Sequence, residues 1–322
     1  MDKSRLIRSE DIPKSLWSIS DGCLNLPPDL VAAWEHLLDV GGLRAEAMKA
    51  IEKDVIGGEG DEVTNQHLAS KFTGSCARIQ LAMLDPNEKI PDVANAFAKL
   101  FSGGRVLLTD VPSGSGAAAL TILSTIAELR RQNKIPRIPL TVILVGGEIS
   151  PLAREYSVKG LNAILEVLNA QAIWVEFEFI SWDVLCKYST VSLIKRITIL
   201  GDTCSARALV LANFSGFLHS GTNWKKAAPQ IESLFMHSQD SQSLAIWLEP
   251  KKGNDDESNG FLYRIRRWFV EKLPELTGSK SGLDGIGNMG MDSSHAQHPL
   301  RIGHKFRVNL AVQRFDLPLR GE

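Results

Sequence analysis

Cysteine is scarce in this 322-residue chain: there are four, at positions 23, 76, 186 and 204, and no two form a C-x-x-C pair. That spacing argues against the common zinc frameworks and against a disulfide-stapled fold, leaving four ordinary buried thiols as the expectation. Long hydrophobic runs are missing as well. Stretches such as Leu140 to Val145 and Leu209 to Ala212 fall far short of the roughly 18 to 20 residues that cross a bilayer. No apolar segment follows the mixed-charge start MDKSRLIRSEDIPKSLW, so no secretory leader is read there and a cytoplasmic location is expected. Neither sign of charge is in excess: 36 Lys and Arg stand against 37 Asp and Glu, for a net charge of −1. Bulk electrostatics therefore supply no pull toward nucleic acid or membrane. What is present is a 44% hydrophobic composition, enough for a large core in one big domain or one domain with an appendage.

From about residue 28 to 100 the apolar spacing is helical. Leu30, Trp34, Leu37 and Leu38 share a face, as do Ala47, Ile51 and Val55, then Leu68, Phe72, Ile79 and Met83, then Val93, Phe97 and Leu100. Breaks fall at residues 41–42, 57–62 and 84–92, where Gly, Asp and Pro supply turn and helix-start chemistry. An all-α lead-in or cap over residues 1–102 is expected, followed by an α/β domain over 103–322. After Gly103 and Gly104, short β-rich runs alternate with amphipathic stretches, the pattern of βαβ units on a parallel sheet. Strands are expected at Arg105–Thr109, Leu140–Val145, Ala172–Phe179, Ala208–Ala212 and Leu244–Leu248, with helices at about 116–133, 151–169, 183–195 and 223–237. Ile197–Gly201 reads as a further edge strand without an assigned place. The tail reads as a helix over 260–273, a long Gly/Ser/Asp loop and a late strand at Lys305–Phe315; 251–260 reads as a solvated loop.

The stretch after the first strand, VLLTDVPSGSGAAAL (106–120), joins an apolar run, an acid, small residues and an Ala-rich helix. A Walker loop requires Lys and then Ser or Thr after its last glycine, whereas Ala117 and Ala118 follow Gly116. The dinucleotide fingerprint G-x-G-x-x-G/A is met formally by Gly114, Gly116 and Ala119. Ser115 between small residues loosely matches a nucleophile elbow, without its outer glycine. The fourth use fits the flanks too: Asp110-Val111-Pro112-Ser113-Gly114-Ser115-Gly116 resembles motif I of class I S-adenosylmethionine-dependent methyltransferases, D-x-G-x-G-x-G, with Pro112 in place of the first glycine.

The resemblance covers roughly residues 100–250 and implies a three-layer αβα sandwich with a mostly parallel, Rossmann-like sheet. It implies S-adenosylmethionine as cofactor: Asp110 receiving the ammonium group, Pro112, Gly114, Ser115 and Gly116 forming the close-approach turn, Glu148 taking the ribose hydroxyls and Asp183 the adenine amino group. Asn213, in Asn213-Phe214-Ser215-Gly216, falls at the methyl-transfer mouth. It departs from the Asn/Asp-Pro-Pro-Tyr of amino-methylating nucleic-acid enzymes, and no Pro-Cys pair supplies a cytosine-attacking thiolate. Lys71 and Phe72 are placed ahead of the sheet where they could close over a cofactor, with core packing and a solvated lysine as the plainer reading.

The acceptor, whether small molecule, protein or RNA, is not named by these residues, nor is any catalytic base, and no membrane partner is expected. A catalytically degenerate binding or scaffold subunit with a protein partner is the alternative, because Pro112 has no N–H to donate. A NAD-dependent oxidoreductase is a distant third. His295, His298 and His304 lack a carboxylate or thiol at ligand spacing and are read as surface, not as a metal site. The basic aromatic stripe of Tyr263, Arg264, Arg266, Arg267 and Trp268 is read as packing with solvated arginines in preference to RNA contact.

Overall fold

The computed structural model describes residues 5–49, 60–240, 242–251, 263–269, 271 and 289–317. Two short strands come first, β1 (Trp17–Ser18) and β2 (Cys23–Leu24). Helices α1 (Pro28–Val40), α2 (Arg44–Ala47), α3 (Asp61–Ser70), α4 (Phe72–Leu84) and α5 (Pro91–Leu100) follow. The alternating part then runs β3 (Gly104–Asp110), α6 (Ala117–Arg131), β4 (Leu140–Glu148), α7 (Pro151–Ala170), β5 (Ile173–Ser181) and α8 (Lys187–Gly201). It continues through β6 (Ala206–Ala212), α9 (Ser215–Leu218), α10 (Asn223–His237) and β7 (Ser243–Pro250). Residues 263–269 are helical, and β8 (Gly290–Gln297) and β9 (Lys305–Asp316) complete the sheet.

The nine strands lie in the order β1-β2-β8-β9-β7-β6-β3-β4-β5. Strands β3 to β7 are mutually parallel, and β9 is antiparallel to both β7 and β8. The chain winds outward from β3 through β4 to β5, returns across the sheet by α8, and winds out again through β6 and β7. Neighbouring β3 and β6 thus send their following segments to opposite sides. Beyond their C-terminal ends lies the switch point, where open α/β sheets form the crevice that binds ligands.

Strand alternation sorts the two cores. Val106 and Leu108 of β3, Val142 and Leu144 of β4, and Ala208 and Val210 of β6 pack with α4, α6 and α7. Leu107, Ile143, Leu209, Leu211 and Trp247 point the other way, onto α8, α10 and the 263–269 helix. The molecule is an α/β fold with a mostly parallel central sheet and helices on both faces.

Several expectations need correction. The lead-in is not all helix, since β1 and β2 lie within it and β2 extends the sheet by pairing with β8. Strands of two residues carry no alternation to read. Its helices also share the sheet's own core, with α4 beside α6 and against β9, and α1 against α7. Ile197–Gly201 is the last turn of α8, where Leu193, Ile194 and Ile197 are buried at helical spacing. Residues 290–297, read as part of a loop, form β8. Its buried side carries Asp292, Ser294 and Ala296, so hydrophobic alternation gave no signal there. Ile51, Val55, residues 57–59, the loop 252–260, the ends of the 260–273 helix and the loop as far as 288 lie outside the described residues. No disulfide joins the cysteines; Cys23 and Cys76 are buried, and Cys186 and Cys204 half-buried. Among the described residues no helix is long and apolar enough to cross a membrane.

Candidate functional site

The crevice is built around the turn after β3. Gly114 and Gly116 adopt φ of +52° and +82°, the left-handed region that glycine enters without a Cβ penalty. Gly116 N–H donates to Ser113 O at 2.8 Å and closes the turn, while Ser113 N–H donates to Gly147 O at 2.9 Å, stitching it to β4. Gly114 is clamped on two further sides, its N–H donating to Glu148 Oε2 at 2.9 Å and its carbonyl accepting from Ser157 Oγ at 3.1 Å. Its remaining side is open: a Cβ there would meet nothing within 4 Å. Gly116 differs, being buried, and a Cβ would lie 3.2 Å from Ser157 Oγ and 3.4 Å from Leu120 Cδ1.

Pro112, half-buried, follows Val111 through a cis peptide bond. Ser115 is buried, unlike the exposed nucleophile of an elbow. Asp110 occupies the strand position that faces α6, so its carboxylate lies beneath that helix and Oδ2 accepts Ala119 N–H at 3.2 Å. Its Oδ1 and the Ser113 hydroxyl are buried without a hydrogen-bond partner. Burial pushes the Asp110 carboxyl up to about 7.

Strand β4 runs on through Gly146 and Gly147 to Glu148 instead of ending at Val145. The two glycines are required by packing, since a Cβ at Gly146 would fall 2.1 Å from the Phe179 ring and one at Gly147 would fall 2.9 Å from Val111. Glu148 is buried, and its two oxygens accept Gly114 N–H and Ser150 N–H, each at 2.9 Å. Burial raises its carboxyl, opposed by those amides. On β5, Ser181 pairs with Glu148, and Trp182 N–H donates to Glu148 O at 3.3 Å. Trp182 itself is core, its indole N–H bound to Thr190. Asp183 comes next, half-exposed, with Oδ1 accepting Leu185 N–H at 2.8 Å. It stands two strands from the glycine turn, about 10 Å by strand spacing. The structure thus brings the glycine turn and Glu148 into direct contact and sets Asp110 and Asp183 at the same edge of the sheet.

Asn213 ends β6 on the other side of the switch point, with φ of +58°. Its Oδ1 accepts from Arg78 Nε at 2.8 Å. The next turn is held by Glu249, which accepts from Phe214 N–H, Ser215 N–H, the Ser215 hydroxyl and the Trp247 indole. Arg78 and Glu249 are the participants that the sequence did not single out as site residues. Arg78 lies 135 positions from its partner, on a helix that reads as core. The fifth strand's Glu-Pro ending was visible but reads as structural.

Of the tail histidines, His298 is buried among Trp34, His304 and Phe306 and is not surface. Among the described residues no group of His, Cys, Asp and Glu could hold a metal ion.

No family model and no curated protein matches this chain. Among solved structures it is similar to precorrin-6y C5,15-methyltransferase from Geobacter metallireducens GS-15, at 9% identity and a TM-score of 0.33, over 70% of this chain and 88% of that one. It is also similar to the rRNA methyltransferase aviRa from Streptomyces viridochromogenes, at 12% identity and a TM-score of 0.32, over 55% of this chain and 76% of that one. What this chain binds has to be read from its own residues.

Proposed function

We propose that the crevice binds S-adenosylmethionine and that the chain is a methyltransferase acting on an acceptor that enters from the β6 side. The observation that carries this reading is the glycine turn at the switch point, clamped by Glu148, Ser157 and Gly147 and open at Gly114, with carboxylates on the ends of the two strands beside it. The residues present fit such a group. Gly114 leaves room for close backbone approach, Asp110 Oδ1 and Ser113 Oγ are buried oxygens without partners, and each Glu148 oxygen retains a lone pair beyond its one amide. On this reading Gly114 and Ser113 hold the amino-acid end, Glu148 the ribose and Asp183 the base. The bound cofactor supplies an electrophilic methyl on sulfur, and the protein's work is to orient and to exclude water. The sheet weighs against the nicotinamide alternative. In dinucleotide-binding sheets the sixth strand follows the fifth directly, whereas antiparallel β9 stands between β7 and β8 here.

A binding subunit without catalysis is favoured by one observation: the polar side chains at the mouth are engaged, Asn213 by Arg78, Ser215 by Glu249 and Glu249 by four donors. Calorimetric titration with S-adenosylmethionine, S-adenosylhomocysteine and NAD in parallel tests both readings. The expected result is binding of the first two and not of NAD, with Asp183→Ala weakening them about ten- to hundredfold. Tight binding without formation of S-adenosylhomocysteine from any acceptor would favour the binding subunit. No binding of either sulfur nucleoside would sink the proposal.

A further inference from the structure

Helix α4 is buried almost throughout. From Phe72 to Leu84 only Gly74 and Arg78 are reached by solvent, and with half-buried Lys71 just ahead they form one stripe at i, i+3 and i+7. That stripe faces the mouth of the crevice, because Arg78 Nε is bonded to Asn213 at the end of β6. The guanidinium has neutral partners only: Asn213 Oδ1 at 2.8 Å and Ser75 Oγ at 3.3 Å. Among the described residues no carboxylate makes an ion pair with it. The acid whose charge it feels, Glu249, already accepts four hydrogen bonds from its own turn and strand. Nη1 is left uncovered by Gly74 one turn earlier, where even an added Cβ would approach it no closer than 3.8 Å. A half-buried cation without an ion-pair partner is costly unless something supplies one. His67 stands close enough for the Arg78 and Lys71 charges to assist burial in pulling its imidazole down to about 4, so it stays neutral beside them.

We propose that Arg78, with Lys71 and His67 beside it, is an anion-recognition site over the β6 end of the crevice, taking a carboxylate or phosphate group of a bound ligand. The site stands on its own geometry; its assignment to the methyl acceptor rests on the reading above. Glu148 and Asp183 lie over β4 and β5, on the far side of the glycine turn from Asn213, so a nucleoside held by those acids leaves the β6 end to the second ligand. The nucleoside's own amino-acid carboxylate is the other source of the same chemistry.

The test compares wild type, Arg78→Gln and Arg78→Lys with three probes. Inorganic phosphate is read by the rise in melting temperature, and S-adenosylhomocysteine and 5′-methylthioadenosine, of which only the first carries the amino-acid end with its ammonium and carboxylate, by calorimetry. Phosphate is expected to stabilise the wild type, and Arg78→Gln to abolish that response. Arg78→Lys keeps the charge and most of the stem, so it should retain a weakened response and keeps the test readable should the glutamine variant fail to fold. Equal affinities of Arg78→Gln and wild type for both nucleosides assign the site to the acceptor. A loss of about tenfold or more for S-adenosylhomocysteine alone assigns it to the nucleoside's carboxylate. A phosphate response that depends on Arg78 in a protein binding neither nucleoside upholds the site and overturns the proposed function. The anion site is overturned if folded variants match the wild type with all three probes.

Discussion

Asp110 is a carboxyl group that the fold holds more easily protonated than ionised. Its strand position points it beneath α6, one amide serves Oδ2, and Oδ1 has no partner, so desolvation raises it to about 7 from an ordinary 3.8. A folded value above the unfolded one means that the native state binds the extra proton. The contribution to stability is complete below about pH 4 and is lost as the pH climbs through about 7, at about 1.4 kcal/mol for each unit of displacement. Asp110→Asn, which cannot ionise, should therefore reduce the fall in melting temperature between about pH 4 and 7. Burial raises Glu148 and Glu249 in the same direction, so part of the slope remains. A slope identical to wild type would assign the titration elsewhere. Asp110, Glu148 and Asp183 could be picked out in the sequence because each follows an apolar run. That Asp110 faces a helix and Glu148 braces the glycine turn depends on strand register, which the pattern does not carry past Gly146 and Gly147. Arg78 left no local trace, since its meaning comes from Asn213 on a distant strand.

The two glycines of the turn look alike in sequence and separate at the level of the element. Gly116 starts α6 against Ser157 and Leu120, so a side chain there strains both φ and packing. Gly114→Ala bears only the left-handed backbone cost, about 1 to 2 kcal/mol, while placing a methyl in the open side of the turn. Gly116→Ala should be the less stable of the two in urea unfolding, and Gly114→Ala should lose more nucleoside affinity than its small loss of stability explains. Equal stability losses with unchanged affinity would refute this division. Four of the five parallel strands, β3, β4, β6 and β7, were readable because both of their faces are largely apolar, and edge strand β5 because Val175, Phe177 and Phe179 alternate with Glu176 and Glu178. The hairpin partner β8 was not, because its buried side carries Asp292 and Ser294, with Asn87 donating to that carboxylate at 3.1 Å.

For the molecule as a whole, the chain before β3 is structural to the sheet. Ile246, Leu248, Val308, Leu310 and Val312 share one core with Phe72, Ala77, Leu81, Val93 and Phe97 of α4 and α5, each of the larger side chains worth about 1.5 to 3 kcal/mol when buried. Residues 103–322 expressed alone are expected to show no cooperative thermal transition, and a sharp one would overturn this. The far edge of the sheet joins the two ends of the sequence, with β2 paired to β8 and Ser294 Oγ donating to Gly22 O across 272 positions. On the ribosome, at roughly 5 to 20 residues per second, β2 is made roughly 15 to 55 s before the strand it pairs with. In that interval Gln80 Nε2, which donates to Leu16 O and Asn25 O at 3.3 and 2.7 Å, is a partner already synthesised. The segment carrying β1 and β2 can therefore dock on α4 first, and the β2–β8 seam forms only once β8 has left the ribosome.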